Sequence, residues 1–212
     1  MCTGRVDLAF VLRAFSNGMD GVFIGGCLLG ECHYITEGNY GTLSMSYICR
    51  RLLDLAGVNP DRLRLEWISS SEGIRFAQVM NDFSRSLMEL GPLGRGEGEK
   101  DKGLQSKLEA INKLIPYIKL VERERLRVRF KTEEEYNEFF TSVEFERIFQ
   151  ELIVDKLEMG QIMTLLREKP LSTGEISEIL GLEPSEAAKY LSSSARHGLV
   201  RFDESRKRFV PA

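Results

Sequence analysis

The sequence of 212 residues lacks most of the features that assign a chemistry at sight. No apolar run approaches the roughly 20 residues that cross a bilayer, and no charged start is followed by a long apolar core, so the chain reads as cytoplasmic. Neither charge sign is in surplus: 29 Lys and Arg face 32 Asp and Glu. The formal net charge of -3 offers no overall attraction to nucleic acid or anionic lipid. There is no Ser-His-Asp set, no phosphate loop and no dinucleotide fingerprint, and Gly25-Gly26 alone is too weak a signal for a nucleotide. No internal repeat or low-complexity tract is present. Cysteine is scarce, and its four copies, Cys2, Cys27, Cys32 and Cys49, all fall in the first 49 residues. A disulfide scaffold spreads its cysteines along a small secreted chain, so this clustering favours metal ligation or thiol chemistry. The remainder, 42% hydrophobic and 29% charged, suits a globular protein with one or two domains and a real core.

The chain is organised around residues 22–40, VFIGGCLLGECHYITEGNY. Val22, Phe23 and Ile24 fit the last half of a buried strand that empties at Gly25 and Gly26 into a loop. Cys27 and Cys32 stand in that loop with four residues between them. Gly30 between them and Gly26 before them let the backbone fold tightly enough to aim both sulfurs at one point. In an open α/β sheet, ligands bind in the crevice beyond the carboxyl ends of the strands, where this loop would lie. Cys2 directly precedes a helix capped by Asp7, with an apolar face of Phe10, Val11, Ala14 and Phe15 and a stop at Gly18. Orphan amides and the positive end of that helix would favour a thiolate at Cys2; an incidental thiol is the competing reading.

A second helix over residues 42–56 ends at Gly57 and covers the sheet with Leu52, Leu53 and Leu55. Cys49 lies inside it and reads as a packing residue, since free cysteine behaves as a small buried hydrophobe. Residues 64–69 alternate as a second strand with Leu65, Trp67 and Ser69 on one side, and Ser69 with Glu72 forms a capping box for a helix over 70–90. Helix, strand, helix, strand, helix is the order of an α/β domain with a parallel sheet and covering helices. The sheet is incomplete, because two strands fall short of the about four to six of an open sheet.

Residues 91–103 are rich in glycine and charge and read as a linker. Residues 104–157 carry a charged helical pattern and read as a helical connector. Pro116 breaks its first helix, and Thr132 with Glu135 caps another before Tyr136, Phe139 and Phe140. Residues 158–212 have the pattern of a winged helix-turn-helix domain. Ile162, Leu165 and Leu166 line one helix; Ser172 and Glu175 cap a second with Ile176, Ile179 and Leu180; Gly181 turns; Pro184 opens a third. Residues 199–202 and 208–210 would be the wing strands. Eight acidic residues balance eight basic ones in this segment. The third helix offers only Lys189, Arg196 and a surface His197 beside Ser192, Ser193 and Ser194, so protein docking is favoured over reading DNA.

The motifs CTGRVD, GVFIGGCLLGECHY, GNY and LEWISSSEG, in this order from Met1 to about Pro92, resemble the delta subunit of methyl-viologen-reducing hydrogenase, an iron-sulfur electron-transfer family. Members of that family begin earlier, with a strand-helix-strand stretch and further cysteines. The resemblance therefore implies that residues 1–90 are a delta-like domain lacking its N-terminal part. It implies a 2Fe-2S cluster with four ligands, of which Cys2, Cys27 and Cys32 match motif positions and Cys49 does not. His33 could serve as a ligand, as in clusters where His replaces Cys, but is favoured as a hydrogen-bond donor beside the site. Arg5 could hold a cluster's negative charge through hydrogen bonds, with an ordinary salt bridge as its rival role. The implied partners are heterodisulfide-reductase-like subunits and an electron-donating oxidoreductase such as a hydrogenase or formate dehydrogenase. The rival functions are a redox-sensing winged-helix transcription regulator and a structural zinc site.

Overall fold

The structure, a computed structural model, describes residues 2–95 and 103–212. Residues 96–102 of the segment read as a linker lie outside the described residues. The chain divides into two compact units, Met1–Phe145 and Glu146–Ala212.

The first unit opens with a 3-10 turn, Thr3–Arg5, then α1 (Leu8–Ser16), β1 (Val22–Gly26), α2 (Asn39–Ala56), β2 (Leu63–Trp67) and α3 (Gly73–Leu90). Asp7 caps α1 as expected, its carboxylate accepting from the Ala9 amide at 2.8 Å. The buried stripe, however, is Leu8, Val11, Leu12 and Phe15, spaced as one face of a helix, and Phe10 falls off that face and is 60% exposed. β1 and β2 pair in parallel with Val22 opposite Leu63 and Gly26 opposite Trp67, and among the described residues this sheet has two strands. α2 begins three residues earlier than the pattern predicts. Both the amide and the hydroxyl of Thr42 donate to the Gly38 carbonyl, which extends the helix to Asn39. α2 ends where predicted, at Gly57, whose φ of 90° suits a residue without a Cβ. α3 starts at Gly73 instead of 70. The Glu72 carboxylate accepts from the Ser69 amide, but the Ser69 hydroxyl turns to Ser71, which leaves residues 69–72 as a turn.

Beyond the undescribed stretch come α4 (Leu104–Val121), a π-helical turn at Glu122–Leu126 and α5 (Glu133–Phe140), while α6 (Val143–Phe149) crosses the unit boundary. Pro116 does not break α4. A proline inside a helix costs about 3 kcal/mol, whereas each fully buried aliphatic side chain returns about 1.5–3 kcal/mol. Leu108 and Ile111 before the proline and Ile118 and Val121 after it are all buried, and α4 packs on α1 and α2. Packing on both sides of Pro116 outweighs the lost hydrogen bond. Residues 104–140 thus contribute to the core of the first unit. The capping box of Thr132 and Glu135 on α5 forms as predicted.

The second unit contains α7 (Asp155–Glu168), α8 (Thr173–Leu180), α9 (Pro184–Arg196) and an antiparallel hairpin of β3 (Val200–Asp203) and β4 (Arg208–Pro211), with Leu171 bridging Phe209. The local signals for it hold: Ser172 and Glu175 form a reciprocal capping box, Gly181 closes α8 at φ 68°, and Pro184 is the first residue of α9. Its core joins Ile162, Leu166, Leu171, Ile176, Leu191 and Val200. Ile179, predicted to be on the apolar face of α8, is 50% exposed, because Ile176 and Leu180 already fill that face.

Arg62 is fully buried, a placement that no sequence pattern announces. Its guanidinium donates to the Asp20 carbonyl at 3.0 Å and to the Leu90 carbonyl at 3.3 Å, tying the entry of β1 to the C-terminus of α3, where a cation is favourable. Arg62→Met should therefore lower stability by about 2–3 kcal/mol, the cost of charged hydrogen bonds left unmade, read as a shift in the urea midpoint.

In the second unit, hydrogen bonds from the Ser172 amide and hydroxyl hold the Glu175 carboxyl below its ordinary value. A depressed carboxylate contributes stability that is present above its unfolded value and lost as pH falls through the folded one. Glu175→Gln should thus lower stability at neutral pH and converge with the parent as pH falls below the ordinary value of 4.5, flattening the acid limb as measured by urea unfolding across pH.

Candidate functional site

β1 and β2 end side by side at Gly26 and Trp67, and the thiols gather just beyond. Gly26 has no room for a side chain: a Cβ there would come within 2.7 Å of the Trp67 ring and 2.9 Å of the Thr3 hydroxyl. The turn bearing Cys2 is thereby seated against the strand ends. Cys27 follows β1 directly and is exposed, whereas Cys32 is buried. The Cys2 and Cys32 sulfurs stand 3.6 Å apart.

The residue that permits this approach is Gly38. A Cβ on it would lie 2.5 Å from the Cys32 sulfur and 3.1 Å from the Cys2 sulfur, and would also collide with the Tyr34 carbonyl. Gly4 is as tightly placed, since a Cβ on it would strike the Glu37 carbonyl. The turn carrying Cys2 and the loop carrying Cys32 therefore touch backbone to backbone. Asn39, 1% exposed, completes the arrangement: its side-chain amide donates to the Leu28 carbonyl at 2.8 Å and to the Cys27 carbonyl at 3.5 Å. The first turn of α2 is thus in contact with all three cysteine-bearing segments. Sequence reasoning passed over Asn39, although a Gly-Asn pair at the mouth of an apolar-periodic stretch is a helix-start signal.

Burial pushes the Cys32 thiol up, but hydrogen bonds from the Tyr34 and Asn39 backbone and from the Cys2 and Cys27 thiols outweigh it and hold the pKa below the ordinary thiol value. A thiolate is the form that binds metal. Cys49 behaves oppositely. It is fully buried against Met45, and burial drives its thiol far up, in keeping with a packing role. Arg5 is exposed on the 3-10 turn, and His33 is exposed with its ring edge-on to Tyr34 at 4.8 Å. Cys2 and Cys27 line an open cleft of about 460 Å³ that also takes in Ser69, Ser70, Gly73 and Phe76, at the carboxyl edge of the sheet.

Thiolates are soft ligands that select zinc, copper(I) or iron-sulfur centres. The absence of a side chain at Gly38, where the Cys2 and Cys32 sulfurs meet, is compatible with such a group. Among the described residues, no three His, Cys, Asp or Glu side chains stand in a metal-holding arrangement. Cys2 and Cys32 are brought together, and Cys27, exposed at the cleft rim, reaches Cys32 with its thiol.

Residues 1–91 match the family model described as methyl-viologen-reducing hydrogenase, delta subunit. An F420-non-reducing hydrogenase iron-sulfur subunit from Archaeoglobus profundus is 50% identical over 91 residues, covering 43% of this chain and 66% of that one. The F420-non-reducing hydrogenase vhu iron-sulfur subunit of Methanopyrus kandleri is 34% identical over 92 residues, 43% of this chain and 69% of that one. In Methanosarcina acetivorans, one subunit of the Ferredoxin/F(420)H(2)-dependent CoB-CoM heterodisulfide reductase is 44% identical over 94 residues, 44% of this chain and 12% of that much longer one. The chain therefore spans about two thirds of the hydrogenase subunits and a small part of the reductase subunit.

The differing exposure of the four thiols is directly measurable. Iodoacetamide should label Cys27 first in the native protein and Cys49 only on unfolding, as read by peptide mass, and early labelling of Cys49 would contradict its placement in the core.

Proposed function

The chain belongs to the methyl-viologen-reducing hydrogenase delta-subunit family, and on that premise we propose that Cys2, Cys27 and Cys32 hold a 2Fe-2S cluster in an electron-transfer subunit. It relays electrons between an oxidoreductase module, such as a hydrogenase or formate dehydrogenase, and a heterodisulfide-reductase-like complex. The observation that carries this reading is the pairing of Cys2 with Cys32 across the side-chain-free surface of Gly38, at the edge of a cleft that exposes Cys27. Relatives named as iron-sulfur subunits support it.

Within this reading the protein's task is positional. Asn39 fixes the backbone of the Cys27 loop, Gly38 lets the other two sulfurs converge, and the buried position of Cys32 keeps water from one side of the site. Arg5 and His33 are the nearby candidates for offsetting negative charge and donating hydrogen bonds, as polar groups around a metal site commonly do. The cluster itself would supply a one-electron carrier, and no substrate pocket is needed. A structural zinc site uses the same ligands without electron chemistry.

We read residues 158–212, within the second unit, as a winged helix that docks onto a partner protein. The three helices and hairpin of that unit have this element order, and the evenly balanced charge of residues 158–212 does not suit a phosphate reader. The regulator reading uses the same elements with DNA as the partner.

Anaerobically purified protein should show iron-sulfur absorption and contain iron, not zinc. Cys27→Ser or Cys32→Ser should abolish the absorption, and Cys49→Ser should leave it intact. Loss of iron from the Cys49 variant alone would overturn the ligand assignment. Removal of residues 158–212 should weaken assembly with a heterodisulfide-reductase-like partner and spare the spectrum. Salt-sensitive protection of a specific DNA sequence by the intact chain would instead favour the regulator.

A further inference from the structure

The thiol site lies within the family-matched residues 1–91, but part of what steadies it comes from outside them. Residues 119–136 reach both walls of the site. On the Cys2 side, Lys119 pairs with Asp7, the cap of α1. On the Cys32 side, Glu37, which immediately precedes Gly38, pairs with Arg127 and stands 3.5 Å from the Arg129 guanidinium. Tyr40, on the same first turn of α2, donates its hydroxyl to the Lys131 carbonyl at 2.7 Å. Its ring stacks on Tyr136 with centroids 5.4 Å apart and planes 11° from parallel. Tyr136 is itself buried and donates to the Val128 carbonyl. Between this segment and the loop lies a cavity of about 260 Å³ lined by Gly4, Glu37, Arg123, Arg127, Arg129 and Tyr136 among others. Across that cavity the loop is held by a few discrete contacts, not by continuous packing.

We propose that residues 119–136 form a clamp whose Arg127–Glu37 pair and Tyr40–Lys131 hydrogen bond act as positioning contacts, fixing the first turn of α2 and with it the spacing of the metal-binding thiols. This rests on the reading of Cys2, Cys27 and Cys32 as ligands. The physical route is short. Glu37 and Tyr40 bracket Gly38 and Asn39, so any rotation of that turn moves the surface against which the Cys2 and Cys32 sulfurs meet and the amide that holds the Cys27 loop. An exposed ion pair contributes little to global stability, so the clamp affects local geometry more than folding. Metal affinity depends on that geometry, because a ligand set that must reorganise binds more weakly.

The test uses the reduced, metal-free full-length chain and Co2+ alone, followed through the thiolate-to-metal charge-transfer band. The double variant Arg127→Ala with Arg129→Ala, and separately Tyr40→Phe, should each weaken Co2+ binding. All three changes together should raise Kd roughly tenfold, equivalent to about 1.4 kcal/mol. The thermal midpoint should stay close to that of the parent. Reversing the pair, Glu37→Arg with Arg127→Glu, should recover affinity lost in either single variant, which shows that the loss runs through that contact. Arg85→Ala, on the exposed face of α3 where it pairs with Asp82, serves as the unaffected control. If the clamp variants bind Co2+ like the parent while Cys27→Ser weakens it, the clamp is wrong and the ligand reading stands. If Cys27→Ser leaves Co2+ binding intact, the ligand reading falls and the clamp with it. Affinity lost only in parallel with a lowered thermal midpoint would also overturn the positioning role.

Discussion

Three stretches of backbone meet at Gly38, and the rest of the site follows from how closely they can approach there. The Gly38 amide donates to the Tyr34 carbonyl, its Cα lies under the Cys2 and Cys32 sulfurs, and its carbonyl receives both donors of Thr42 to start α2. One residue thus closes the loop, opens the helix and leaves space for two thiols. Any L side chain would place a carbon well inside van der Waals contact distance of the Cys32 sulfur, a separation real Cβ atoms do not occupy. The complementary contact at Gly4 shows that the arrangement is two-sided, with both the Cys2 turn and the Cys32 loop giving up side chains where they touch.

That approach has to be backed by something stiff, and the sheet is too small to supply it alone. A two-stranded parallel pair has little independent stability, so the helices must carry the load. α2 does most of it, burying Leu43, Ile48, Cys49, Leu52 and Leu53 along its length, with α1 and α4 packed beside it. α4 is therefore as much a part of the site's foundation as the strands are. Its continuity through Pro116 reflects the same balance of forces, because buried side chains on both sides of the proline retain more free energy than the missing hydrogen bond forfeits.

Most features of this fold that depend on neighbours in sequence were legible in advance, the turn at Ser69 being an exception; those that depend on neighbours in space were not. The Asp7 cap, the capping boxes at Thr132 and Ser172, the glycine stops at Gly57 and Gly181 and the proline start at Pro184 are all interactions over four residues or fewer, and all appear. The loop holding Cys27 and Cys32 was readable because glycine flanks both thiols, and the packing role of Cys49 because it sits on an apolar helix face. The pairing of Arg62 with Asp20 and Leu90, the packing of residues 104–121 onto α1 and α2, and the hold of Asn39 on Cys27 span 12 to about 100 residues of chain. Nothing in the local pattern around any of them encodes the partner. Phe10 and Ile179 show the converse limit: each is apolar and near the right helical phase, yet a neighbouring residue already occupies the buried position.

The division between shared and chain-specific parts follows the same line. The residues that carry sulfur, and the glycines that let the sulfurs converge, lie within the family match, where the chemistry needs particular residue types at particular spacings. The contacts that brace the loop reach in from residues 119–136, beyond the match, and they need only a charge or a ring at the right distance. A requirement of that looser kind can be met by many sequences, so the bracing of a thiol loop is free to diverge while the loop itself is not. The properties most sensitive to small displacements of the sulfurs are then set in part by residues that a comparison confined to the cysteine motifs would leave out.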